Sequence, residues 1–313
     1  MDSITQAALG AAIGEATLGR YIGRKGMLLG AAVATIPDLD IVFYLFYDKF
    51  EMLSIHRGFS HSIVFSIIGS ILVSAILNRV GFTKKIPFNR LWLFSWLALF
   101  THIILDAFTA YGTQLFLPFS DCRFGLDSIN VVDPVYTISL LLGLLGSILF
   151  KKKKFNTIGM IVSTGYLIGT LAVKGIIDDR LEKDLADQQI EYNDFLTMPV
   201  GSASLNWFGL AKDDENLYLK KYSLYKENDI DFHSFKINDR YLNKLSSEQK
   251  EEMIWFAKGF YTVEMEDDTI LIYNLQVDMR GVVKNDSIYA PTKGYFKFLP
   301  IEGGGYEFTT GSQ

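Results

Sequence analysis

Three of the four histidines, His56, His61 and His102, fall in or beside apolar segments, and aspartates accompany them: Asp38 and Asp40 precede the first two, and Asp106 follows the third. An ionisable group at membrane depth costs roughly 2.5 to 3.5 kcal/mol even on the mild insertion scale, so a bundle holding several of them needs partners. A bound divalent cation is such a partner. His102 and Asp106 are four apart in a helical run and so share one face. In Ile36-Pro37-Asp38-Leu39-Asp40 the proline disturbs the helix, and carboxylates two apart converge when a segment is extended or broken. In His56-Arg57-Gly58-Phe59-Ser60-His61-Ser62 the glycine permits a sharp turn and Ser60 is placed to cap the helix that follows.

Imidazole nitrogens and carboxylate oxygens are the ligands of hydrolytic zinc, manganese and iron sites. The six groups Asp38, Asp40, His56, His61, His102 and Asp106 exceed one tetrahedral shell, which leaves one ion or two open. In such sites the cation turns water into a nucleophile at neutral pH and stabilises the charge that builds on an ester or phosphoester. Arg57, next to His56, carries the fork that grips phosphate or carboxylate bidentately. Each residue also has a purely structural use: His102 as a hydrogen-bonding group between helices, Asp38 and Asp40 as caps at a helix break. It is their joint placement on one side of a bundle that points to metal.

The elements that would position them are apolar runs: Gly26 to Phe46, Ser62 to Asn78, Leu91 to Tyr111, Pro134 to Phe150 and Phe155 to Val173. All are near the ~20 residues that cross a bilayer as a helix. Ile4 to Leu18 is a sixth candidate, shorter and carrying Gln6 and Glu15, and it lacks the positive start of a cleaved signal. Basic residues cluster at Arg20, Arg24 and Lys25, at Arg79, Lys84, Lys85 and Arg90, and at Lys151 to Lys154, which is the signature of cytoplasmic connections. Alternation then puts Asp38, Asp40, His56, His61, His102 and Asp106 toward the outer leaflet and sends the chain after Val173 outward. The net charge of −5 argues against a nucleic-acid partner, and the single cysteine, Cys122, excludes an intrachain disulfide and multi-thiolate zinc sites.

The Pro37-Asp38-Leu39-Asp40 segment, the His56 to Ser62 motif, and His102 followed by Asp106, Thr109 and Gly112 resemble the LexA-regulated, membrane-bound, metal-dependent hydrolase family. The opening Met1 to Leu18, with Gly10 and Gly14-Glu15-Ala16, is similar to the branch found in Bacteroidota. The resemblance covers roughly the first 140 residues. It implies a multi-pass bacterial protein, and it makes Arg123, Asp127 and Asp133, in the stretch from Leu117 to Pro134, further site candidates, although an aspartate before proline equally caps a helix. Many family members carry a histidine where this chain has Thr5-Gln6; Glu15 is then a substitute ligand or general base, or a glutamate hydrogen-bonded between helices.

From Asp178 onward the chain reads as a soluble domain. A charged helix-compatible stretch, Asp178 to Gln189, precedes strand-like runs at Leu205 to Leu210, Leu217 to Tyr225, Tyr261 to Met265, Ile270 to Val277 and Tyr295 to Leu299. The turns Lys212 to Asn216 and Glu266 to Asp268 make two hairpins of the first four, and Ser246 with Gln249 starts a helix from Ser247 to Phe260. The tyrosines there suit a small β core better than a carbohydrate or lipid-headgroup surface, and His233 stands apart from other ligand types.

The sequence therefore predicts a polytopic α-helical membrane bundle of five to six transmembrane or embedded helices with a C-terminal soluble α+β domain. Residues 1–176 form the membrane part, 177–190 a helical linker and 191–313 an extracytoplasmic domain. The expected activity is metal-dependent hydrolysis at the inner membrane. Asp38, Asp40, His56, His61, His102 and Asp106 hold a divalent metal, zinc first with manganese or iron as alternatives, and Glu15, Arg57 and Asp133 take catalytic roles on an amphiphilic or lipid-like substrate. The rival readings are an ion or solute transporter using the same groups and a non-catalytic protein with a structural metal site.

Overall fold

In the computed structural model, which describes residues 1–201, 203–226, 231–276, 283–284, 287–288 and 295–311, the N-terminal region is helical. Helix α1 (Ser3–Ile22) starts where the Asp2 side chain accepts from the amides of Ile4 and Thr5. It turns at Gly23 (φ 58°) and packs against α2 (Lys25–Ala34) backbone to backbone. A Cβ at Gly10 would lie 2.3 Å from the Gly30 carbonyl oxygen, and one at Gly14 would lie 2.0 Å from that of Gly26. Only glycine allows that approach.

After α2 the chain bends by 52° into a 3-10 stretch, Pro37–Leu45, then runs through α3 (Met52–Ile55) and a short 3-10 turn, Phe59–His61. Helix α4 (Ile63–Leu77) follows at a 60° bend, then α5 (Phe88–Ala107), α6 (Pro134–Phe150) and the 34-residue α7 (Lys154–Asp187). The cap of α4 is Ser62, which accepts from the Phe65 amide, while Ser60 turns inward to Asp40. The α1 to α6 core is apolar, with Ala12, Leu18, Leu91, Phe94, Ala98 and Leu99 fully buried, whereas Leu72, Ile76, Leu142, Leu149, Ile161 and Ile168 are exposed on the helix surfaces. Outward apolar side chains of this kind face hydrocarbon.

By length and composition α5 and α7 can each cross a bilayer, and the two bent pairs bring the count of candidate spans to four. Helix α6, at 17 residues, is shorter, and α1 carries Gln6 and Glu15. By contacts the chain divides into two units, Met1–Val42 with Ile55–Ala172, and Phe43–Ser54 with Val173–Gln313.

The second unit contains two antiparallel four-stranded sheets. One has the order β1-β2-β3-β4, from β1 (Asp194–Val200), β2 (Asn206–Lys212), β3 (Asn216–Ser223) and β4 (His233–Lys236). The other has the order β10-β9-β6-β5, from β5 (Tyr261–Glu266), β6 (Thr269–Asn274), β9 (Tyr295–Pro300) and β10 (Tyr306–Gly311). The strands β7 (Val283–Lys284) and β8 (Ser287–Ile288) pair with each other. Both expected hairpins form, β2 with β3 and β5 with β6. Strands β1, β4, β7, β8 and β10 are additions to the five expected, and Val277 lies outside the described residues.

Helix α8 (Ser247–Phe256) has the full capping box of Ser246 and Gln249 and ends four residues before the expected Phe260, where Gly259 (φ 76°) returns its amide to the Ile254 carbonyl. The aromatic residues fill cores: Trp207, Phe208 and Phe298 are buried, and Phe50 packs edge-on to Phe298 and Phe308. Tyr222 donates to Asp184 of α7, which also takes Lys220 at 2.7 Å.

Candidate metal centre

Asp38, His61, His102 and Asp106 each present one ligand atom, and those atoms all lie within 4.8 Å of one another. His61 Nε2 is 3.4 Å from Asp38 Oδ1, 3.4 Å from Asp106 Oδ2 and 3.3 Å from His102 Nε2. His102 Nε2 is 3.4 Å from Asp38 Oδ1 and 3.7 Å from Asp106 Oδ2. A tetrahedral ion with bonds of about 2.0 to 2.1 Å has ligand-to-ligand edges of about 3.3 to 3.4 Å. Four of the five distances above match those edges, and the fifth, His102 to Asp106, is 0.3 Å longer.

Two further observations fit a cation. Asp106 is fully buried, and its Oδ2, which faces both imidazoles, receives no hydrogen bond. With Arg57 Nε at ion-pair distance, 3.5 Å, and no hydrogen bond made, that buried oxygen still has room for a metal cation as a direct partner. The second is the tautomer of His61. Ser60 Oγ gives its one proton to Asp40 Oδ2 (2.9 Å), so toward His61 Nδ1, also 2.9 Å away, it acts as acceptor. His61 therefore carries its proton on Nδ1 and offers a bare Nε2 lone pair to the cradle, the arrangement found when an outer carboxylate orients a metal-binding histidine.

Local backbone explains why the two aspartates part company. The Pro37–Leu45 stretch is 3-10, and at three residues per turn side chains two apart point about 120° away from each other. Asp38 thus approaches His61 from the Nε2 side and Asp40 from the Nδ1 side, 3.5 Å away, so the pair brackets the ring instead of converging. Asp40 also accepts from the Arg57 amide (3.0 Å) and sits 3.0 Å from His56 Nδ1. The turn that brings them together is made by Arg57, whose backbone is left-handed (φ 59°), followed by Gly58 at ψ −125°. His56 is outside the four-residue cradle, held to it through Asp40, and its side chain is 31 % exposed; Asp38, at 25 %, is the exposed member of the cradle itself.

Arg57 is buried. Its Nη1 donates to Thr109 Oγ1 (3.2 Å), its Nε lies 3.5 Å from Asp106 Oδ2, and its guanidinium stacks over Tyr111. It faces a cradle carboxylate. Arg123 lies on the same Tyr111 ring and donates to the Tyr111 carbonyl. Asp127 is buried at a left-handed position (φ 49°). Asp133 caps α6 through the amides of Val135 and Tyr136 and accepts from Tyr166, and it is not among the cradle residues. Glu15 is also elsewhere: it contacts Ser147 of α6, about 13 Å along α1 from Gln6 at helical rise. His233 sits on β4 beside Phe235.

Gln6 was passed over on sequence as a departure, yet its Nε2 donates to Asp106 Oδ1 and to the His102 carbonyl, both at 3.2 Å. The N-terminal ammonium contacts the same Asp106 oxygen. The signal for Gln6 was available: an amide on an otherwise apolar helix face needs a polar partner.

Residues 1–178 match the family described as YdjM inner membrane protein. The chain is 37 % identical over 146 residues to a Bacillus subtilis (strain 168) protein described as uncharacterized protein YfhP, covering 44 % of each chain. It is 32 % identical over 123 residues to inner membrane protein YbcI of Escherichia coli (strain K12), covering 39 % of this chain and 69 % of that one. The chain thus matches less than half the length of the Bacillus relative. No solved structure matches.

Proposed function

The chain belongs to the YdjM inner membrane protein family, and from that premise we propose that it is a membrane-bound hydrolase that uses a divalent metal to cleave an ester or phosphoester in an amphiphilic, lipid-like substrate. The observation that carries this reading is the cradle of Asp38 with the buried His61, His102 and Asp106, whose ligand atoms lie within 4.8 Å of one another and whose Asp106 Oδ2 accepts no hydrogen bond. A cation held there, zinc first on this donor set, would supply Lewis acidity toward water and toward the scissile bond.

The chain's own residues do the remaining work. Asp40 and Ser60 hold His61 in the tautomer that leaves Nε2 free. Arg57, fixed by Thr109 and Tyr111, balances the negative charge that the carboxylates bring into a buried place. His56, with Nδ1 engaged by Asp40 and its side chain 31 % exposed, stands beside the cradle where it meets solvent. The exposed Leu39, Ile41 and Val42 follow Asp38 directly, so the open side of the cradle adjoins surface suited to acyl chains. In this reading α6 joins the four candidate spans to make five, the basic connections are cytoplasmic, and the cradle and the C-terminal domain lie on the outer side.

Protein purified in detergent is expected to retain about one equivalent of zinc, as a single tetrahedral site requires. Its hydrolysis of a fluorogenic ester or phosphoester lipid should stop on chelation and return with zinc. His61→Ala should lose both metal and turnover. Unchanged metal content in that variant would remove the ligand assignment; metal bound but no turnover of either lipid class would leave only a structural ion.

A further inference from the structure

At the far end of α1 from the metal cradle lies a second polar site, which the hydrolytic reading does not use. Glu15, Gly19, Arg24, Ser147, Lys151 and Lys153 are among the residues lining a cavity of about 160 Å³. At roughly 30 Å³ per water it holds a small polar group but not a whole lipid. Glu15 is 6 % exposed, its Oε1 takes the Ser147 hydroxyl, and its Oε2 has no hydrogen-bond donor. Lys153 Nζ and Glu15 Cγ come to 3.5 and 3.4 Å of the point where Gly19 would carry a side chain, so the bare glycine keeps the space between them open. Arg24 is fixed at the rim by donating to the Ile148 carbonyl at 3.0 Å. Among the described residues, neither Lys151 nor Lys153 has a carboxylate at salt-bridge distance.

The charges are of both signs, and that decides the ligand. Three cations at the mouth call for an anion with several acceptor oxygens, which phosphate supplies. A bare phosphate would leave the buried Oε2 of Glu15 facing another negative group. A phosphate esterified to a primary amino alcohol satisfies both ends: its oxygens meet Arg24, Lys151 and Lys153, and its ammonium donates to Glu15. We propose that this cavity binds the phosphate–ammonium headgroup of an aminophospholipid. Exposed Leu28, Leu149 and Phe150 sit beside the lining residues in sequence and give the acyl chains an apolar surface.

The test is lipid retention, measured by native mass spectrometry of the purified full chain exchanged into vesicles of phosphatidylcholine mixed equally with phosphatidylethanolamine or with phosphatidylglycerol. The wild type should retain phosphatidylethanolamine over both others. Lys153→Ala, at an exposed position that leaves the bundle intact, should weaken retention roughly tenfold, the value of one charge-assisted hydrogen bond. Glu15→Gln should keep phospholipid binding but lose the preference for phosphatidylethanolamine over phosphatidylglycerol, and Gly19→Leu should exclude both by filling the cavity. Displacement by millimolar soluble phosphoethanolamine would show that the headgroup alone suffices; its failure to compete would assign the site to the membrane lipid. No headgroup preference in the wild type, or a preference untouched by both Lys153→Ala and Glu15→Gln, overturns the proposal.

Discussion

Asp40→Asn separates a ligand from a residue that orients one. Asp40 uses Oδ2 to accept from the Arg57 amide and the Ser60 hydroxyl and keeps Oδ1 beside His56 Nδ1. Asparagine retains the shape and one acceptor oxygen, which can take the Oδ2 place, so the turn survives. What is lost is charge: the Ser60 bond that holds His61 changes from charge-assisted to neutral, a difference of about 1 to 1.5 kcal/mol. If that orientation is the whole contribution of Asp40, zinc affinity should fall roughly tenfold, at the lower end of the 10- to 100-fold range for outer partners. Removing a ligand is a different matter. Structural zinc binding is worth roughly 10 to 16 kcal/mol over four ligands, so His61→Ala should cost on the order of a hundredfold to a thousandfold. Competition against a chromophoric chelator in detergent resolves the two ranges. An Asp40→Asn variant as impaired as His61→Ala would make Asp40 a ligand, and one with unchanged affinity would show that His61 needs no help from behind; either result refutes the four-residue cradle with an outer support.

Asp133→Ala should lower thermal stability by about 1 to 2 kcal/mol through loss of the α6 cap, with metal content unchanged, whereas a direct part in the chemistry would appear as lost turnover at normal stability. Gly14→Leu should abolish the folded, monodisperse protein in size-exclusion chromatography, because its first side-chain atom already overlaps the Gly26 carbonyl. In the C-terminal domain, burial alone would raise the Asp213 carboxyl, but hydrogen bonds from the Asn216 side chain, the Glu215 and Asn216 amides and Tyr218 outweigh it and hold it at about 2. Its stabilising effect is thus full above the unfolded value of about 3.9 and fades as pH falls toward 2. Asp213→Ala should therefore destabilise the domain by about 1 kcal/mol at pH 7 and by progressively less below pH 4, read by thermal unfolding across that range.

Much of the cradle was legible because its information is local. His102 and Asp106 share a face at helical spacing, and the proline before Asp38 announces a broken helix. The division of labour between Asp38 and Asp40 was not legible, since it depends on the broken segment becoming 3-10 and not extended, which tertiary contacts decide. The same holds for Ser60, which reads as a cap by position but is drawn to Asp40 while Ser62 caps α4. Glu15 reads either as a stand-in for the family's N-terminal histidine or as a glutamate hydrogen-bonded between helices; its contact with Ser147 of α6 fits the second, and only the folded chain shows the basic α6–α7 connection opposite it. In the sheets, hairpin strands were read from their turns, while β1, β4 and β10 announce themselves only through the strands they join.

The glycine seam between α1 and α2 has a consequence for how the cradle holds its shape. Two rods in contact through their backbones have no side chains to reshuffle, so they can neither roll nor slide by a fraction of an ångström without collision. One rod sets Gln6 against Asp106, and the other leads straight into the bend before Asp38. The gap between those two carboxylates is consequently gauged by the hairpin and not by whatever lies between them.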